Sequence, residues 1–174
     1  MNRAGQFLHA VGAKPGPEDM KYIGRYLPLR GQELFFRMHP ADQCHALRVA
    51  RTAETLADGE ADPSDREFLV RCALLHDVGR RKEDMGIWGK VAAVLIHSLA
   101  PEAAKRWALG GAERGAFPLR HVMYVYYHHP LIGAGLLEEA GFPDEAVVVA
   151  AHHDPQKEND SSVLRILRQA DEMN

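Results

Sequence analysis

Apolar residues along this chain recur at three- and four-residue intervals, and no stretch alternates with a two-residue period long enough to read as a strand. Residues 17–27 read as a short helix with Pro17 and Glu18 in its first turn. Residues 41–58 follow Pro40 and end near Asp58-Gly59. Ser64-Asp65-Arg66-Glu67 has the form of a capping box, opening a helix that runs to Gly79, where glycine suits a left-handed terminus. The stretch 86–117 divides into two helices near Pro101, with Gly110-Gly111 as a break. Residues 119–128 and 131–140 are helical, separated by Pro130 and closed by Gly141-Phe142-Pro143. Residues 144–153 and 161–173 complete the series, the last capped by Asp160 or Ser161. The pattern predicts an all-α fold, a single compact helical bundle.

Several polar residues fall on the apolar stripes of these helices, where a surface residue does not belong. His45 shares a face with Val49, Thr52 and Leu56. His76 and Asp77 close the run Cys72-Ala73-Leu74-Leu75, and His76 shares a face with Leu69, Cys72 and Ala73. His152 lies above Val148 and Val149, and Asp171 follows Leu167 and Leu164 by four and seven residues. Any one such histidine reads most simply as a core imidazole bonded to a backbone carbonyl, and Asp171 reads as well as a frayed end. Four such placements on four helices instead suggest convergence on one centre.

Composition narrows the chemistry. A chain of 174 residues with a net charge of −3 gives no global electrostatic case for nucleic acid or a membrane surface. No run approaches a membrane span, and the first residues lack the apolar core of a signal peptide. Cys44 and Cys72 form neither a disulfide framework nor a CxxC knuckle; they read as small core residues, in keeping with a cytoplasmic protein. Five imidazoles (His45, His76, His129, His152, His153) and two carboxylates (Asp77, Asp171) are too many for one ion. They suit two divalent ions sharing Asp77, leaving a site charge of about +2 that attracts phosphate oxygens. Hydrolysis of a phosphate ester or anhydride by a hydroxide bridging the ions is the expected reaction.

His45, then Leu74-Leu75-His76-Asp77-Val78-Gly79, then Asp171, resembles the HD-domain metal-dependent phosphohydrolase superfamily. His129-Pro130-x-x-Gly133-Ala134-x-x-Leu137 and His152-His153 further resemble its two-metal branches. The resemblance spans about residues 40–171. It implies one HD domain over residues 1–174, with a helical extension at 1–39, a metal-binding core at 40–174 and a helical insert at about 83–118 acting as a lid or specificity element. It implies one ion on His45, His76, Asp77 and Asp171 and another on Asp77, His129, His152 and His153. Iron or manganese is implied, with nickel, zinc or magnesium as substitutes. It also implies catalytic roles for Asp77 and Arg80 and a small phosphate substrate, such as a nucleotide, and it is compatible with a homodimer.

Departures bear on the substrate. Asp154-Pro155-Gln156 follows the histidine pair where the HD-GYP branch carries Gly-Tyr-Pro, and Arg80 stands at the lysine of the HDxGK motif, offering a fork for phosphate. Two other functions stay open: a metal-binding sensor or interaction module without turnover, and a di-iron oxygenase. Arg81 and Lys82 read as a solvated helix end. His97 reads as a satisfied core histidine, and His121 shares a face with His128. His128 is the alternative to His129 as a ligand. Tyr124, Tyr126, Tyr127 and Trp88 read as core, His9 and His39 as surface.

Overall fold

Proline opens six of the nine helices among the described residues, because its fixed φ and missing amide are tolerated in a first turn. The structure, a computed structural model, describes residues 14–58, 63–112 and 118–174. In order these hold α1 (Pro17–Tyr26), α2 (Leu29–Arg37), α3 (Pro40–Leu56), α4 (Pro63–Leu75) and α5 (Ile87–Leu99). Then come α6 (Pro101–Ala108), α7 (Pro118–Ala140), α8 (Pro143–Ala151) and α9 (Ser162–Glu172). No strand occurs among the described residues; one isolated bridge joins Met38 and Arg81. The architecture is all-α.

Two interiors are present. The larger is built chiefly from α3, α4, α8 and α9, where Val49, Ala50, Leu69, Ala73, Val149 and Leu167 are excluded from water. The smaller holds Ala93, Ala104, Ala108 and Met123, so α5 and α6 pack on the first half of α7. Lys90 of α5 pairs with the buried Asp42 in the first turn of α3, tying this second unit to the larger one. No described helix is long and apolar enough to cross a membrane.

The structure departs from the sequence reading in several places. Helix α2 was not anticipated; Leu34 and Phe35 pack it into the core. Helix α4 ends at Leu75, so His76–Gly79 form a turn, and the only positive φ among the described residues belongs to Gly141 at +89°. Gly79 is needed for a different reason: a Cβ there would lie 2.1 Å from the His129 carbonyl and 2.9 Å from the Gly133 amide nitrogen. Pro130 does not divide the following segment; α7 runs through it without interruption, and the carbonyl it strips of an amide partner finds a side-chain donor. Trp88 is 81% exposed and not core, and Cys44 is only half-buried. Tyr124, Tyr126 and Tyr127 are half-buried along α7. Ser161 is the α9 cap, accepting from the Leu164 amide at 3.2 Å. His9 and the side chain of Ser64, on which the capping box rests, lie outside the described residues.

Candidate metal centre

Three buried histidines share one local device. His76 follows the last residue of α4, and its Nδ1–H donates to the Ala73 carbonyl at 2.8 Å. His152 caps α8 and donates in the same way to Val149 at 2.6 Å. His129, inside α7, donates to Tyr126 at 3.0 Å. A carbonyl only accepts, so each Nδ1 carries the proton and each Nε2 presents a lone pair. These lone pairs converge: Nε2 of His76 and of His152 and Oδ1 of Asp77 are buried with no hydrogen-bond partner.

The remaining residues close around them. His45 from α3 lies with Nε2 2.9 Å from Oδ1 of Asp171 on α9, and His76 Nε2 lies 3.7 Å from the same oxygen. His76 Nε2 is 3.6 Å from Oδ2 of Asp77, whose other oxygen is 3.3 Å from His129 Nε2. The His153 ring lies tilted 4.1 Å from that of His152 and edge-on 5.0 Å from that of His129. Ligand-capable atoms fall within 4.8 Å of one another in three sets: His45, His76 and Asp171; His76, Asp77 and His152; and His129, His152 and His153. The middle set links the outer two. Every predicted metal-ligating residue is therefore in this cluster.

His128 is not: its Nδ1 bonds the Tyr124 carbonyl and its ring stacks on Tyr124 at 4.5 Å. His97 bonds the Tyr127 hydroxyl at 2.7 Å. His121 bridges Gly111 and Asp84, Arg81 also pairs with Asp84, and His39 caps α3.

The electrostatics suit a cation. Burial raises the Asp77 carboxyl, but the neighbouring Arg80 guanidinium outweighs it and holds the acid well below its usual range. Burial likewise opposes ionisation of Asp171, yet the hydrogen bond to His45 brings it to about 2. Burial, with Arg80 nearby, lowers His129 to about 4, and burial also lowers His152 and His153. The carboxylates are thus ionised and these three imidazoles neutral at neutral pH, the forms in which such groups ligate metal. Leaving Nε2 and Oδ1 atoms unbonded in the interior costs about 1–3 kcal/mol each. A divalent ion satisfies them together, so the residues present fit one or two such ions.

Arg80 extends from the same turn. It donates through Nη1 to Oδ2 of Asp77 at 3.0 Å and through Nη2 to Nε2 of His129 at 3.1 Å. Two features escaped the sequence reading because they work through main-chain atoms of distant segments. Gly79 lets the turn touch α7, as above. Arg168 donates to the carbonyls of Ala151 and His152 at 2.8 and 3.2 Å and pairs with Asp160 at 2.5 Å, pinning the end of α8 to α9. Beside this anchor a cleft of about 680 Å³ is lined by His153 and Asp171 together with Gln156, Arg165 and Gln169.

The HD domain family model matches residues 43–105. The matched span includes His45, His76 and Asp77 and ends before His129, His152, His153 and Asp171. Comparison with curated proteins and with solved structures gives no match. HD domains bind divalent metals and are commonly hydrolases.

Proposed function

We propose that this protein is a metal-dependent phosphohydrolase acting on a small phosphate ester or anhydride, with nucleotides as the substrate class to test first. The observation that carries this reading is the set of inward-facing Nε2 lone pairs around an ionised, buried Asp77. His45, His76, Asp77 and Asp171 would hold one ion, and Asp77, His129, His152 and His153 a second. Divalent ions there supply Lewis acidity that neutralises phosphate charge and lowers the pKa of an attacking water toward neutrality.

The chain's own groups do the rest. Asp77 sits between the two ligand sets and fixes their spacing. The Arg80 N–H groups, which donate to Asp77 and His129, are the ones available to phosphate oxygens once those acceptors are taken. The cleft offers Arg165 to anionic substrate, and Gln156 and Gln169 as donors and acceptors for its polar parts. Its lining includes no Phe, Tyr or Trp, so a base would be held there by hydrogen bonds, not by stacking on one of those rings.

Protein loaded with Mn(II) or Fe(II) should cleave a nitrophenyl phosphodiester or release phosphate from members of a nucleotide panel. Asp77→Ala should abolish this while the helical signal in far-UV circular dichroism persists. A wild type carrying its full complement of metal but inert toward monoesters, diesters and anhydrides would overturn the proposal and favour a non-catalytic metal-binding module.

A further inference from the structure

We propose that Pro130 is a positioning residue for the metal centre: by removing an amide from the interior of α7, it leaves the Tyr126 carbonyl to Nδ1–H of His129. In an α-helix each interior carbonyl accepts from the amide four residues later. The carbonyls of the last turn have no such partner. His76 and His152 use that exemption, since Ala73 lies in the last turn of α4 and Val149 in that of α8. His129 has no such place; it sits deep inside the 23-residue α7. The amide that would claim Tyr126 is that of residue 130, and proline has none. The His129 ring takes the vacancy at 3.0 Å. The third buried imidazole thus gains inside a helix the same orientation that the other two gain at helix ends.

The consequence is directional. With Nδ1–H held by Tyr126, Nε2 lies 3.3 Å from Oδ1 of Asp77, and the ring packs against His152 and His153. Arg80 supports the same tautomer from the other side by donating to Nε2. An ion on Nε2 displaces that support and leaves the Tyr126 bond as the remaining hydrogen-bonded constraint on the ring. Groups that orient a ligating histidine in this way typically change metal affinity by about 10–100-fold.

Pro130→Ala and Pro130→Gly both restore the amide while differing in helix propensity, which separates the bond from helix stiffness. In metal-free wild type the Nδ1 proton of His129 should be slow to exchange in ¹⁵N-labelled protein by NMR. Both variants should exchange it at least about tenfold faster and bind the ion of His129, His152 and His153 about tenfold more weakly in a Mn(II) or Co(II) titration. Affinity at His45, His76 and Asp171 should stay within about twofold, as expected for a local effect. Wild-type exchange and affinity in both variants would overturn the assignment. So would a loss confined to the glycine variant, which would report helix propensity alone. If one variant does not fold, the other decides. The affinity measurement rests on the metal-centre reading, but the exchange measurement does not. A wild type that takes up no ion would therefore sink that reading while the proton still reports on Pro130.

Discussion

Arg80 donates to Nε2 of His129 at 3.1 Å, so its guanidinium and any ion on His129 compete for one lone pair. It holds Oδ2 of Asp77 in the same grip. Removing the guanidinium should therefore have opposite effects on binding and turnover. Arg80→Ala should tighten the ion at His129 severalfold in calorimetric titration. It should also lower kcat by about 10²–10³, the usual loss for one preorganised donor. A variant that weakens metal and leaves turnover unchanged would refute this role.

The contact between Gly79 and α7 leaves no room for a side chain. A Cβ 2.1 Å from the His129 carbonyl meets backbone, which cannot rotate away. Gly79→Ala should destabilise the fold by at least about 2 kcal/mol in urea unfolding, as overpacked cores do. Gly135→Ala, in the same helix with open space around it, should be neutral or stabilising by about 0.4–1 kcal/mol.

His45 and Asp171 meet across 126 residues of sequence, so an ion held there closes most of the chain into a loop. Metal bound only by the folded state stabilises it by about 2.7 kcal/mol at a hundredfold excess over Kd. For a chain of this size, chelation should then lower Tm by about 5–10 °C in calorimetry. An unchanged Tm in protein shown to have carried metal would contradict this.

Glu54 supplies a pH-dependent contribution away from the centre. Burial raises its pKa, but hydrogen bonds from Tyr26 and Tyr22 and the charge of Arg66 bring it below the ordinary 4.5. Its unfolded form binds the proton more readily, so the stability it contributes is complete above about pH 4.5 and is lost as pH falls through the folded value. Glu54→Gln should be less stable at neutral pH and show a shallower decline below pH 4.5, measured by urea midpoints across the range.

The clustered residues were legible because metal chemistry restricts their types and because His45, His76, His152 and Asp171 each broke an apolar stripe. Most helix ends were legible because proline marked the starts. What the sequence concealed acts through the main chain. Pro130 suggested a break because a rule about isolated helices ignores a histidine able to take over a vacated carbonyl. Gly79 suggested a left-handed terminus, whereas its value lies in how closely a distant helix can approach. Arg168 carries no signal in the sequence, because its partners are the Ala151 and His152 carbonyls of another segment.

The smaller interior around Ala93, Ala104, Ala108 and Met123 has a bearing on motion. A unit with its own apolar packing, moored by Lys90 to Asp42 and by His121 to Asp84, is built to breathe apart from the histidine–aspartate cluster. Amide deuteration should reach α5 and α6 well before α3, leaving the histidine–aspartate cluster intact through fluctuations that reshape its surroundings.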